Sequence, residues 1–271
     1  MTISARVIAD SISLAFERIT TLELFYPRFI HSEFMTHRVF SRNASSSRAI
    51  PVARLIKDVM NDPAMPISWR KNKPGMQAGG EINKLVGAYA LANGAIEFVE
   101  VPPEAAWFMA RDYAISIAKG FNEAGYAKEI VNRLLEPFAH IKVVVTATDW
   151  DNFFALRLHP DAQPEIQELA RQMKAAMDGS TPALLDEGDY HLPYASGAAT
   201  SQNIAASAAR CARTSYTTHD GKQTTSEQDL DLYRKLFRGG HWSPFEHQAT
   251  PFEGRHANLN GWISHRTEIG Q

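Results

Sequence analysis

The run TTLELFYPRFIHSEFMTHRVFSRNASSSRAIP, residues 20–51, decides how the chain is read. Its first seven residues alternate. Leu22, Leu24 and Tyr26 fall on one face and Glu23 and Phe25 on the other, the period of a strand with one face in a core. Pro27 has no amide hydrogen for a ladder and ends the strand. Residues 28 to about 39 are expected to be helical, with Glu33 and His37 one turn apart on a shared face. The serine-rich stretch from Ser41 to Ser47 is poor helix interior, because serine hydroxyls compete for backbone partners, and it reads as loop or cap. Through this region Arg38, Arg42 and Arg48 face a single acid, Glu33, with Arg28 and Arg54 just outside and Ser45, Ser46 and Ser47 between. Cations and small hydroxyl donors at this density make a poor core and a good seat for a phosphate or another anion.

Outward from this run, Pro51 opens a helix over VARLIKDVM, where its missing donor costs nothing. Residues 61–80 carry three prolines and three glycines and form an irregular excursion, whose Met65, Ile67, Trp69 and Met76 need somewhere to pack. Helices are expected over about 81–97, over 103–121 with Gly120 ending or kinking it, and over 126–136. KVVVTATDW, residues 142–150, is rich in β-branched residues and reads as a buried strand. Asp149 is placed to cap the segment that carries Trp150, Phe153, Phe154 and Arg157. Pro164 opens an amphipathic helix with Ile166, Leu169, Ala170 and Met173 as its core stripe. A connector rich in Gly, Pro, Ala and Ser covers about 179–203. Residues 203–216 read equally as strand or short helix, and DLDLYRKLFRG is a helix ending at Gly239 and Gly240. We expect a single domain over 1–271, since the segment after about residue 190 is short for a core of its own.

The chain has 271 residues, a formal charge of −2 and a pI near 6.6, which argues against a general nucleic-acid coat and leaves the positive patch local. No apolar core opens the sequence, so neither a secretion signal nor a membrane anchor is expected, and the cytoplasm is the expected compartment. One cysteine, Cys211, excludes an internal disulfide and a cysteine-rich metal site; its apolar and hydroxyl neighbours fit an inert buried thiol. His31, His37, His241, His247 and His265 have no zinc spacing, and no metal is expected. Neither a GxGxxG nor a P-loop is present. Taken alone, Arg133 and Arg157 read as surface salt bridges.

THRVFSRNASSSRA resembles the signature of the flavin-dependent thymidylate synthases (thymidylate synthase complementing protein). His37 and Arg38 match the last two residues of its Arg-His-Arg, and Ser41, Asn43, Ser46 and Arg48 match the spacings that follow. Thr36 stands for the first Arg, Ala44 for a Glu and Glu33 for a Gln. NRLLEP resembles a second segment of that family and holds Arg133. LRLHPDAQPEI resembles a third and holds Arg157 and Gln163. CARTSY and GHWSPFEHQA resemble the family's amino-terminal blocks, the latter with Ser243 and His247. Those blocks usually precede the Arg-His-Arg block. Here they follow it, so the chain looks circularly permuted, as in a phage-associated branch, and GWISHR, which loosely repeats EFMTHR, could mark where the permuted ends meet.

The resemblance implies an α/β (α+β) fold, a twisted central β-sheet flanked by helices, and a homotetramer with shared sites. It implies reductive methylation of dUMP to dTMP, with methylenetetrahydrofolate as carbon donor and NADPH-reduced FAD as hydride source. It casts Ser46 and Arg157 as catalytic, Arg38, Ser46, Arg48, Arg133 and Arg157 as dUMP ligands, and His37, Asn43, Gln163, Ser243 and His247 as FAD ligands. Nucleic acid and membrane are not expected partners; the compartment would be a host cytoplasm if the chain is phage-encoded. Two alternatives stay open. One is a flavin- and folate-dependent pyrimidine nucleotide hydroxymethylase, motivated by Thr36 and Ala44. The other is a noncatalytic nucleotide-binding or assembly protein.

Overall fold

The structure, a computed structural model, describes residues 1–13, 17–75, 77–92, 95–214 and 222–271. The chain begins with β1 (Ser4–Ile12) and β2 (Ile19–Pro27), then a 3-10 turn at Arg28–Ile30, α1 (His31–Phe34), β3 (Ser41–Ala44) and α2 (Val52–Asn61). A hairpin of β4 (Val86–Ala92) and β5 (Ala95–Val101) leads to α3 (Pro103–Glu123), α4 (Lys128–Val131), β6 (His140–Ala147), α5 (Asp151–Arg157) and α6 (Pro164–Asp178). After β7 (Ala183–Leu184) come α7 (Ser201–Arg213), α8 (Ser226–Arg238), β8 (Ala249–His256), β9 (Leu259–Ser264) and α9 (His265–Glu268).

Five strands form one sheet in the order β3-β6-β2-β1-β7, antiparallel except for β7 beside β1. β2 and β6 are its central pair. Their register sets Leu22 opposite Val145, Leu24 opposite Val143 and Tyr26 opposite Ile141, and the first five of these are 0% exposed and Ile141 1%. α6 covers this face with the expected stripe, Ile166, Leu169, Ala170 and Met173, and α5 and the α1 turn add Phe153, Trp150, Phe34 and Phe40. Each of the larger apolar side chains here, fully buried, contributes roughly 1.5–3 kcal/mol. A second cluster joins α2, α3 and α4 through Val52, Leu55, Val59, Ile115 and Val131. Among the described residues, no helix is long and apolar enough to cross a membrane.

The opposite face of the sheet is mixed: Glu23, Phe25 and Lys142 are half-buried toward one end, and a buried polar cluster occupies the other. His191, from the connector before α7, accepts or donates at Nδ1 to Ser11 Oγ (2.9 Å) and at Nε2 to Thr21 Oγ1 (2.7 Å). Thr21 Oγ1 meets Thr146 Oγ1 at 2.6 Å across the central pair, and Thr146 Oγ1 meets His247 Nδ1 at 2.8 Å. The result is a continuous chain, Ser11–His191–Thr21–Thr146–His247. Next to it Tyr194 and Cys211 pack on Val144. The Cys211 thiol is fully buried and burial pushes its pKa up, as expected for an inert thiol.

Several elements depart from the sequence reading. Residues 41–44 are an edge strand rather than a loop, because the open side of β6 offers ladder partners that outcompete local serine bonds. Of residues 81–97, those described are not helical, and residues 93 and 94 lie outside the described ones. VGAYALA and AIEFVEV pair as a hairpin, and Gly87 makes room for the Phe98 ring, since a Cβ there would lie 2.6 Å from Phe98 Cζ. The expected helix from 28 to 39 is only the 3-10 turn and α1, and the one from 126 to 136 breaks after α4 into 3-10 turns at Asn132–Leu134 and Glu136–Phe138. Gly120 does not end α3, which runs on to Glu123. Asp149 caps nothing; α5 has no side-chain cap, and Asp149 instead binds Arg255 at 2.5 Å. The ambiguous 203–216 is helix through Arg213, its start capped by Thr200, while its last residues lie outside the described ones. β1 was not foreseen.

α7 is pinned to α8 by Asp229, 0% exposed, which accepts from Arg210 Nε at 2.8 Å and Arg213 Nη1 at 2.5 Å. Asp229→Ala removes the carboxylate that two mostly buried cations share, so denaturant unfolding should show a loss of about 3–5 kcal/mol; a change within experimental error would contradict this role. The buried histidines give a second expectation. Burial drags the pKa of His191 and of His247 from 6.5 down to about 3, the latter helped by nearby His191. Below about pH 6.5 the unfolded chain takes up protons that the folded chain refuses. Stability should therefore be complete above pH 6.5 and fall as pH drops toward 3, by up to about 1.4 kcal/mol per pH unit for each histidine. Urea unfolding from pH 7 to 4 measures this slope, and His191→Gln should flatten it by one histidine's share.

Candidate active site

Arg157 is the last residue of α5, and packing decides where it points. One turn earlier, Phe153 is buried against Phe34 and Phe40 and meets the His37 ring edge-on, with centroids 4.9 Å apart. That contact sets the end of α5 on the turn after α1. Arg157 Nε donates to His37 Nε2 at 2.9 Å, Nη1 pairs with the Glu33 carboxylate, and Nη2 reaches Thr36 Oγ1 at 3.4 Å. Burial, and then the charges of Arg157 and Arg42, hold the His37 pKa down to about 4. His37 is therefore neutral at pH 7, and accepting at Nε2 places its proton on Nδ1. Arg42 is spent on the backbone of the same turn, donating to the carbonyls of Met35 (3.1 Å) and His37 (2.9 Å). Thr36, His37, Arg38, Asp149, Asn152 and Arg157 line a cleft of about 350 Å³.

A second group gathers around the serines. Ser47 Oγ donates to Glu136 Oε1 at 2.7 Å, and the buried Asn132 Nδ2 donates to the carbonyls of Ser47 (2.7 Å) and Ile50 (2.9 Å). Ser46 and Arg133 are exposed, and Arg48 pairs with Glu129 at 3.2 Å. Arg28 pairs with Glu136 at 3.3 Å and Arg54 with Asp58 at 3.6 Å. The cation patch is thus partly neutralised by carboxylates from elsewhere in the chain, which its local composition does not reveal. Among the described residues, Arg38 and Arg133 form no ion pair. The five residues expected to bind dUMP fall into two groups: Arg38 with Arg157 at the cleft, and Ser46, Arg48 and Arg133 around Asn132.

The residues expected to hold FAD are spread more widely. β3 packs against the 3-10 turn Ser243–Glu246, so motif blocks from opposite ends of the chain lie side by side. Asn43 is on β3 opposite Val144, His247 is bonded to Thr146, and Ser243 is exposed on the turn. Two buried atoms here, Asn43 Oδ1 and His247 Nε2, have no hydrogen-bond partner. The end of the chain packs beside them: Arg266 Nη1, in GWISHR, binds Glu246 Oε1 at 2.5 Å, and Asn258 Nδ2, in the turn between β8 and β9, donates to Ser41 Oγ at 3.4 Å. Ser41, Glu246, Asn258, Ser264 and Arg266 line a cleft of about 320 Å³. His37 belongs to the Arg157 cleft on the apolar side of the sheet, and Gln163 is apart from both, exposed ahead of α6 beside Trp107 and Arg70. His191 was missed by sequence reasoning. The available signal was Thr21 and Thr146, hydroxyls on the second face of strands whose first face is purely apolar.

The family model of the thymidylate synthase complementing protein matches residues 15–183 and 198–269. Among solved structures, the chain is similar to a UMP/dUMP methylase, PolB from Streptomyces cacaoi, bound with 5-Br UMP, and to the same protein bound with 5-Br dUMP. Identity is 17% and the TM-score 0.45 in both cases, over 65% of this chain and 88% and 90% of those chains. A likeness that low supports no chemical conclusion. No curated protein matches the chain. The two matched ranges take in THRVFSRNASSSRA, NRLLEP, LRLHPDAQPEI, CARTSY and GHWSPFEHQA, and on that extent the chain belongs to the thymidylate synthase complementing protein family, whose members are flavin-linked enzymes.

Proposed function

We propose that this chain is a flavin-dependent thymidylate synthase that methylates dUMP to dTMP, using methylenetetrahydrofolate as carbon donor and NADPH as reductant. The observation that carries the reading is the family match over residues 15–183 and 198–269, with every motif block inside it. The geometry around Arg157 supports it. A guanidinium carries five N–H donors, and Glu33, Thr36 and His37 engage three of them. Two remain for a ligand, on a group held still by its neighbours. Fixed cationic donors of this kind stabilise charge that develops on a carbonyl oxygen, and activation of uracil at C5 places charge on its carbonyl oxygens. Arg38 stands at the same cleft.

Ser46, Arg48 and Arg133 are the proposed phosphate ligands. Glu129 would give up or share Arg48 when phosphate arrives. Asn43, Ser243 and His247, with His37 at the neighbouring cleft, are the proposed flavin ligands. The unpaired Asn43 Oδ1 and His247 Nε2 are the kind of acceptor and donor that a polar ring edge requires, so the residues fit the group. When bound, FAD supplies the hydride, drawn from NADPH, that reduces the transferred carbon to a methyl group. Thr146 and the histidine relay behind it hold the His247 ring in one orientation, and a neutral His37 adds no competing charge beside Arg157, which shares its charge with Glu33, or beside the unpaired Arg38. Gln163 reaches neither group within one chain, so its role as a flavin ligand requires a neighbouring subunit, in line with the proposed homotetramer. We read the motif order as a circular permutation. The contact of β3 with Ser243–Glu246 supports that reading, because it restores in space the adjacency that the order of the chain lacks.

Incubation of the protein with dUMP, methylenetetrahydrofolate, FAD and NADPH, followed by mass spectrometry of the nucleotide, should return dTMP. A product heavier by one oxygen would replace the reading with hydroxymethyl transfer, and protein that neither turns over nor retains FAD would replace it with nucleotide binding alone. Arg157→Ala should weaken dUMP binding by about 10- to 100-fold, the worth of one or two charge-assisted hydrogen bonds, with FAD retention unchanged. Loss of FAD with dUMP binding intact would contradict the role given to Arg157.

A further inference from the structure

The hairpin of β4 and β5 forms a two-stranded sheet of its own. Its residues alternate between two surfaces. Ala88, Ala90, Val99 and Val101 are half-buried, and β4 leans on α3. The other surface carries Tyr89 at 70% exposure, Ile96 at 75% and Phe98 at 61%. Tyr89 and Phe98 are cross-strand partners with ring centroids 5.5 Å apart, and Phe98 lies over Gly87. Two strands alone are marginal in water, and large apolar side chains gathered in one exposed patch mark a contact site.

The two free edges of this sheet differ. β5, AIEFVEV, carries Glu97 and Glu100. β4, VGAYALA, is seven residues long and has no charge and no proline. Charges and prolines are what ordinarily keep an exposed edge from pairing with another strand. Among the described strands of the hairpin, β4 is the unguarded edge.

We propose that β4 pairs antiparallel with β4 of a second copy of this chain, about a two-fold axis at Tyr89, to make a continuous four-stranded sheet. Tyr89 is the middle residue of the strand, so this register uses its whole length. It sets Ala88 of one copy opposite Ala90 of the other and each Tyr89 ring against its mate, with Phe98 of each copy flanking the pair. Joining through β5 would instead line the seam with four carboxylates, two from each strand. Joining β4 to β5 would leave an unused β4 at one end and an unused β5 at the other, so the same joint would repeat into a fibre rather than close. Only the β4–β4 joint is both uncharged and closed.

Oxidative cross-linking of the full-length chain tests this joint. Directly opposed residues in an antiparallel pair have Cα atoms about 4.5–5.5 Å apart, within disulfide reach, and the native Cys211 is fully buried and gives no background. Tyr89→Cys should convert most of a dilute, mildly oxidised sample to a covalent dimer, while Glu97→Cys, on β5, should yield no more dimer than wild type. Tyr89→Lys, with unchanged circular dichroism and melting temperature, should halve the mass measured by light scattering. Equal cross-linking at the two positions, or a Tyr89→Lys variant that keeps the wild-type mass, would overturn the proposal. Neither readout depends on flavin or nucleotide, so their failure is separable from failure of the proposed activity.

Discussion

The antiparallel pairing of β2 with β6 is the constraint from which the other features follow. Because side chains alternate along a strand, one register decides both faces at once. With Leu22 opposite Val145, Thr21 must lie opposite Thr146. The first face is then wholly apolar and takes α5 and α6. The second presents hydroxyls, and the only inexpensive way to bury them is to hydrogen-bond them. His191 and His247 fill that need, arriving from segments far along the chain. A one-residue slip would put leucine and valine against the histidines and threonine against α6.

The candidate site is built at the margin of this arrangement. β3 extends the sheet beyond β6, and the signature run crosses the sheet there, with α1 and its turn on the apolar side and Asn43 on the polar side. Phe153, packed into the apolar core, holds α5 so that Arg157 meets Glu33, Thr36 and His37. A guanidinium paired in this way keeps its charge and loses its freedom, which is what a group meant to recognise a flat, partly charged ring requires. The departures in the signature fall within this contact: Thr36 and Glu33 both touch Arg157. Ala44, the last residue of β3, is exposed and leaves the carboxylate position of the motif without a charge.

Much of the framework could be read from periodicity. The alternation of Leu22, Leu24 and Tyr26, the β-branched run of β6 and the stripe of α6 all carry strong signals, and each is where it was expected. Residues 81–97 misled because their alanines and two glutamates suit a helix as well as a strand; the pairing of Tyr89 with Phe98 settles it and is invisible one strand at a time. Ser41–Ala44 misled because an edge strand owes its existence to its neighbour and not to its own residues. The motifs located Arg157, His37, Asn43 and His247, but not which of them meet. Composition overstated the positive patch, because Glu129, Glu136 and Asp58 come to it from other segments. His191 has no motif, and its place follows from the sheet's polar face alone.

Arg157, held by Glu33, Thr36 and His37, is the group we propose receives the pyrimidine of dUMP. A crystal structure of the assembled protein with dUMP and FAD tests it most directly. The uracil ring should lie in the cleft of Thr36, Arg38, Asn152 and Arg157, with a carbonyl oxygen within hydrogen-bond distance of the Arg157 guanidinium. A nucleotide bound elsewhere, with Arg157 still engaged only by its three present partners, would contradict it.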